Sequence, residues 1–354
     1  MNIFKDNLKE LLPYNVDYVP YKVKLNANEN PYGIPRDLKE KIASEIRHFV
    51  FSRYPDPMAN ELREKIAKTY KDQDINKDMI VIGNGSDELI NYLTLAFSGR
   101  GRVVTYPIPT FPMYKVYTIL TEGKPAPIEL LPDFSLPVKK LLATRAVLTF
   151  ISYPNSPTGN YFKDKDIIEV IEGTDGIVIV DEAYYEFGGK TFIPYLKKYE
   201  NLVILRTFSK AFALAGMRVG YLIANPYVMN EILKVKSPYN INSLSVKIAG
   251  IVWENYNMLK PYVDRIIQER ERVYNILKDE FPQFKVYPGT ANFLYVQTND
   301  KEDSIRKSLM KKGVLIRTYK DPLNDNTYSL RITIGKKEEM DIFLKTLKEV
   351  VNEF

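Results

Sequence analysis

Cysteine is missing from this 354-residue chain, which excludes disulfides and thiolate metal sites. Histidine is nearly missing too. His48 is the single one, so neither a multi-histidine metal centre nor a Ser-His-Asp triad can be assembled. Long apolar runs are absent: none approaches the ~20 residues that a membrane-spanning helix requires. The opening stretch from Asn2 to Tyr14 is polar and charged, unlike a secretory leader. These absences lead us to expect a cytoplasmic protein. Blocks of like charge are lacking as well. Lys and Arg outnumber Asp and Glu by 50 to 44, for a net charge of +6. The signs are interspersed, which describes a solvated surface rather than a nucleic-acid-binding face.

What is present suits a globular enzyme. Hydrophobic residues make up 45% and charged residues 27%, ordinary values for a folded domain, and the length allows a large domain plus a smaller one. Short apolar runs alternate with amphipathic helical stretches over the first two thirds. Met79–Ile82, Arg102–Thr105, Ala146–Ile151, Gly176–Val180, Leu202–Leu205 and Val219–Ile223 all read as buried strands. Near-continuous apolar strands belong in a mostly parallel sheet covered on both faces, so an α/β domain is predicted. Its ligand should sit at the carboxyl ends of those strands. From Asn242 the texture changes to long helices, short strands and a charged closing helix. The predicted organisation is an arm over 1–34, a large α/β domain over 35–241 and a small α+β domain over 242–354, with the arm crossing to the small domain.

Thr207–Gly220 is the most informative segment. Lys210 follows the strand Leu202–Leu205, and Arg218 comes eight residues later across a small-residue turn. A lysine so placed can form an imine with an aldehyde, and an arginine can hold a phosphate with two donors of its fork. An aldehyde and a phosphate on one molecule describe pyridoxal phosphate.

Other strand ends supply matching chemistry. Asp181 directly follows Gly176–Val180, with Tyr184 three residues on. Alone, Asp181 reads as a helix cap or a surface acid. Beside Lys210 it reads as the anion that keeps a pyridine nitrogen protonated. Gly83–Glu88 follows another strand and opens a helix, so its backbone N–H groups and Ser86 form an anion site, or merely an ordinary strand–turn–helix. The segment Tyr153–Gly159 is a proline-rich rigid loop carrying Asn155, and Tyr106–Tyr114 carries Phe111, suited to stacking on a flat ring or to packing in the core. In Ser329–Ile334 the alternation puts Arg331 on one face with Thr333. An arginine between buried strand residues needs an anion, either a substrate group or a structural carboxylate.

Taken together these residues resemble the fold-type I pyridoxal-phosphate aminotransferases, in the subfamily that contains histidinol-phosphate aminotransferase. The likeness runs from Leu12-Pro-Tyr14 to Arg331. It is carried by the lysine segment with its arginine, Asp181-x-x-Tyr184, Pro154–Gly159 and, for the subfamily, Lys24–Gly33. The resemblance implies a three-layer α/β/α large domain with a smaller α+β domain, and pyridoxal 5'-phosphate as cofactor. It implies that Lys210 joins the cofactor aldehyde and then shuttles a proton, that Asp181 pairs with the ring nitrogen, and that Tyr184 and Asn155 hold the ring oxygen. Phe111 would stack on the ring. Gly85, Ser86, Asp87, Thr207, Ser209 and Arg218 lie in the segments that cup the phosphate, although the charge of Asp87 suits a helix start better. Tyr54 would reach the cofactor of a second subunit in a homodimer. Arg331, with Asn30, Tyr14 and Arg317, would bind the substrate anion. The implied reaction moves the amino group of L-histidinol phosphate to 2-oxoglutarate, in histidine biosynthesis.

Alternatives on the same fold are an aromatic or broad-specificity amino-acid aminotransferase and a threonine-phosphate decarboxylase, since Arg331 suits a carboxylate as well as a phosphate. A cofactor-binding regulator fused to a DNA-binding module is a different class of reading. The first 35 or so residues are too few for a helix-turn-helix and lack a basic recognition helix.

Overall fold

The computed structural model describes residues 3, 5–13, 19–321, 324 and 327–353. Tyr14, a predicted substrate contact, lies outside the described residues. The described strands are β1 (Val23–Leu25), β2 (Ile80–Asn84), β3 (Val103–Ile108), β4 (Lys124–Glu129), β5 (Leu148–Ser152), β6 (Ile177–Asp181), β7 (Leu202–Thr207), β8 (Val219–Ala224), β9 (Lys285–Tyr287), β10 (Phe293–Gln297), β11 (Val314–Lys320) and β12 (Tyr328–Thr333).

Seven of them form one sheet in the order β2-β8-β7-β6-β5-β3-β4. From β7 to β4 all neighbours run parallel, whereas β8 is antiparallel to both β2 and β7. The sheet is therefore mostly parallel, as expected. Its apolar runs are buried on both faces for the predicted reason. Val178 and Val180 of β6 point into one core cluster, while Ile177 and Ile179 point into the other.

Helices cover each face. On one side are α1 (Arg36–Arg47) and α2 (Asn60–Thr69), which bury Leu38, Leu62 and Ile66. On the other are α3 (Ser86–Phe97) and α4 (Met113–Leu120), which bury Leu89, Leu93 and Tyr114. This is a three-layer arrangement. Strand β4 has no counterpart in the sequence reading. It contains Pro125 and Pro127 and pairs only with β3 at the sheet edge, a place where missing N–H donors are tolerated.

The remaining strands form a five-stranded sheet, β1-β11-β12-β10-β9. β1 lies parallel to β11, with Val23 opposite Val314, and forms one edge of this sheet. The helices Ser243–Glu254 and Lys260–Glu280 are separated by a short 3-10 turn, Tyr256–Met258. Pro261 falls in the first turn of the second helix, where its missing N–H has no partner to lose.

Candidate active site

The carboxyl ends of β2, β5, β6 and β7 converge on a cavity of about 380 Å³ whose lining includes Ser86, Ser152, Asp181, Thr207, Ser209, Lys210 and Arg218. The parallel strands explain the convergence, because each delivers its following loop to the same edge.

Lys210 is held by a hydrogen bond from its Nζ to the Ala27 carbonyl, 3.0 Å away. Burial pushes the amine down to about 8, and the nearby Arg331 guanidinium acts in the same direction. Asp87 and Glu29 oppose the shift.

Asp181 ends β6 and is 5% exposed. Its Oδ2 accepts a hydrogen bond from the Tyr114 hydroxyl at 2.7 Å, and its Oδ1 accepts one from the Ala183 N–H at 3.1 Å. Burial raises its carboxyl to about 6, against the lowering effect of those two donors. Tyr184 lies in the lining with its ring centroid 5.9 Å from the Lys210 Nζ. Its hydroxyl oxygen accepts from Asn28 Nδ2 at 2.9 Å, which leaves the phenolic proton available to a ligand.

One end of the cavity is built for an anion. Helix α3 starts at Ser86, its cap Gly85 has φ of +80°, and no side chain closes the helix end. The first N–H groups of α3 therefore remain open to an anion. A Cβ on Gly85 would come within 2.5 Å of Arg218 Nη2. Arg218 is salt-bridged to Asp87 at 2.9 Å, and its Nη1 lies 3.4 Å from Ser209 Oγ. Thr207 Oγ1 accepts from the Ser209 N–H at 3.1 Å, bracing that turn. Gly220 is equally constrained, since a Cβ there would lie 2.5 Å from the Ser86 nitrogen.

Phe111 lines the cavity and packs edge-on against Tyr114, with centroids 5.6 Å apart. Asn155 is brought close but is not part of this lining. Its Nδ2 donates to the Pro109 carbonyl at 3.0 Å and to Thr158 Oγ1 at 2.7 Å, so both amide protons are directed into the loop. Arg331 of β12 is 8% exposed. It donates to the Asn26 carbonyl at 2.8 Å and approaches Ser156 Oγ at 3.4 Å, while its Nε is buried without a hydrogen-bond partner among the described residues. Arg317 stands opposite Arg331 in the β11–β12 register. Asn30 donates to the Ala211 carbonyl at 3.0 Å and lines a neighbouring cavity. Tyr54 is 81% exposed, stacks on Tyr239 with centroids 4.5 Å apart, and lines a separate surface cavity.

Sequence reasoning missed several participants. Ser152, Ser156, Ala183, Ala27 and Glu29 all line the cavity, and Tyr114 touches Asp181 from behind. Ser152 had a legible signal, because it ends β5 in register with Asp181. The contacts made by Ala27 had none, since it acts through its backbone carbonyl.

These residues fit pyridoxal phosphate. A buried carboxylate with no cation paired to it among the described residues suits a protonated ring nitrogen. The open helix end with Arg218 suits a phosphate, Phe111 and Ala183 offer apolar lining, and Lys210 carries a readily neutralised amine.

Comparison with known proteins agrees. The profile of the family "Aminotransferase class I and II" matches residues 20–347. The chain is 38% identical over 355 residues to the histidinol-phosphate aminotransferase of Caldanaerobacter subterraneus subsp. tengcongensis, covering 99% of each. It is 40% identical over 343 residues to that of Pyrococcus furiosus, covering 96% of each. Among solved structures, the histidinol-phosphate aminotransferase of Clostridium acetobutylicum superposes with a TM-score of 0.84 at 26% identity, over 94% of this chain and 100% of the other. That of Sinorhizobium meliloti, in complex with pyridoxal-5'-phosphate, shares the fold with a TM-score of 0.88 at 22% identity, over 100% of this chain and 98% of the other. The chain belongs to the class I and II aminotransferases, which depend on pyridoxal phosphate.

Proposed function

We propose that this aminotransferase takes the amino group of L-histidinol phosphate and passes it to 2-oxoglutarate. The relatives named above carry that donor in their names. The observation that carries the reading to this chain is Arg331, a buried guanidinium with an unpartnered Nε beside the Lys210 cavity. No carboxylate is ion-paired with it among the described residues, so an incoming phosphate or carboxylate answers its charge.

In this reading Ser86, Thr207, Ser209 and Arg218, with the open end of α3, hold the cofactor phosphate. Asp181 faces the ring nitrogen, Phe111 and Ala183 cover the ring, and Tyr184 donates its phenolic proton to the ring oxygen. Pyridoxal phosphate supplies an aldehyde for amines to condense with and an electron-withdrawing ring. The protein's own contribution centres on Lys210. With its amine lowered to about 8, a useful fraction is neutral near pH 7.5 and can take the proton from the substrate Cα, then return it one position away. Arg331 orients the donor so that this proton faces Lys210. Asn155 can join the ring oxygen only by giving up its bond to Pro109 or Thr158.

The same reading divides the chain into an arm over 1–34, a large domain over 35–241 and a small domain over 242–354. It makes the active form a homodimer in the cytoplasm, with exposed Tyr54 completing the neighbouring site.

Borohydride reduction of the cofactor-loaded protein, followed by digestion and mass measurement, should add a pyridoxyl group to the peptide containing Lys210. Amino transfer from histidinol phosphate should then exceed that from phenylalanine, tyrosine and phosphothreonine. Preference for an aromatic amino acid would overturn the donor assignment while leaving the cofactor reading intact.

A further inference from the structure

Asp181 is placed by β6, but its orientation is fixed from another element. Tyr114, on α4, directs its hydroxyl at Asp181 Oδ2 from 2.7 Å. Both residues are buried, with Tyr114 at 0% exposure. The tyrosine ring is itself immobilised, lying flat on Phe150 with centroids 4.6 Å apart and planes 9° apart. The other carboxylate oxygen is tied to the Ala183 N–H. We propose that Tyr114 is a positioning residue that keeps Asp181 oriented and ionised toward the cofactor's ring nitrogen. This rests on the reading that Asp181 faces that nitrogen.

Two arguments support it. A hydrogen bond donated to a carboxylate stabilises the charged form, and it counts for more where water is excluded. Burial, Asp87 and Glu182 push the opposite way and favour the protonated acid. Tyr114 is the strongest opposing influence, followed by the Ala183 N–H. Its own acidity is driven far down by burial and by Asp181, so it remains a donor at every working pH.

The chain contains an internal control. Tyr106 is also buried and stands beside Tyr114, with centroids 6.2 Å apart, but its hydroxyl has no hydrogen-bond partner among the described residues.

The test measures cofactor dissociation and the pH titration of the bound chromophore in wild type, Tyr114→Phe, Tyr106→Phe, Asp181→Asn and Tyr114→Phe/Asp181→Asn. Phenylalanine keeps the stacking on Phe150, and loss of one charge-assisted bond predicts about tenfold or more weaker cofactor retention. The chromophore titration of Tyr114→Phe should shift, and kcat should fall with donor KM nearly unchanged. Tyr106→Phe should match wild type in all three. In the Asp181→Asn background the further Tyr114→Phe change should cost less than about twofold, because the two residues act as a unit. If Tyr114→Phe does not fold, the double variant, which removes the stranded charge, provides the comparison with Asp181→Asn. A Tyr114→Phe protein with wild-type titration and affinity overturns the proposal, as does an equal loss in both backgrounds. If Asp181→Asn itself retains wild-type affinity and titration, the prior reading of Asp181 has failed instead.

Discussion

Arg218 and Asp87, 131 residues apart in sequence, are joined by a 2.9 Å salt bridge in the lining of the Lys210 cavity. The carboxylate is taken up by the guanidinium. It holds the guanidinium in place, and its field also reaches Lys210, whose amine it raises against the lowering effects of burial, Arg331 and Arg218.

Asp87→Asn should therefore move the Lys210 titration below its starting value of about 8. The pH dependence of amine labelling in cofactor-free protein reports this directly. A shift to higher pH would contradict the electrostatic assignment.

The carboxyl of Asp181 gives a stability prediction of definite sign. Its ordinary value is 3.8, and in the folded cofactor-free chain burial takes it to about 6. The folded state therefore binds this proton more tightly than the unfolded state. Keeping Asp181 ionised destabilises the fold above pH 6, and the penalty fades as pH falls toward 4. Asp181→Asn, which cannot ionise, should stabilise the cofactor-free protein near pH 7.5 by up to about 3 kcal/mol and converge with wild type near pH 4. Denaturant unfolding at the two pH values measures this, and equal stability at 7.5 would refute it.

Replacing Lys210 by Ala should reduce amino transfer by at least about a thousandfold, since a proton-transfer group and a covalent anchor are lost together. Circular dichroism should be unchanged. Substantial residual turnover would remove Lys210 from the chemistry.

Arg331→Gln should raise the KM for histidinol phosphate by about tenfold to a hundredfold, the worth of a charge-assisted bond. The cofactor content of the resting enzyme should stay the same. A change in cofactor affinity without a change in KM would place Arg331 in the cofactor site instead.

Gly220→Ala puts a methyl 2.5 Å from the Ser86 nitrogen, so β8 and the start of α3 must separate. Overpacking of this kind costs about 1–3 kcal/mol. It should weaken phosphate holding as well as lower the melting temperature, which isothermal titration with pyridoxal phosphate would detect.

Much of this was legible in the sequence because period and punctuation carry it. The strands ending at Asp181 and Thr207 carry unbroken apolar runs, Ile177–Val180 and Leu202–Leu205, and such runs in a parallel sheet deliver whatever follows them to one edge. Lys210, Asp181, Ser86 and Arg218 could therefore be grouped before any coordinates. Strand β4 was hidden by Pro125 and Pro127, since local propensity argues against a strand that an edge position permits. Asn155 illustrates a different limit: its type and loop were readable, but its choice of Pro109 and Thr158 depends on a fold of the loop that no periodicity encodes. Contacts through main-chain atoms, such as Lys210 to Ala27, leave no trace in residue identity at all.

The segment after β1 shows what that last limit means. Three consecutive positions attach to three different groups: the Asn26 carbonyl to Arg331, the Ala27 carbonyl to Lys210, and the Asn28 amide to Tyr184. The first two connections run through main-chain carbonyls and do not depend on which side chain stands at Asn26 or Ala27. Adding or deleting a single residue between Leu25 and Asn30 would instead miswire all three at once. Spacing, more than identity, is what this stretch must preserve as the protein diverges.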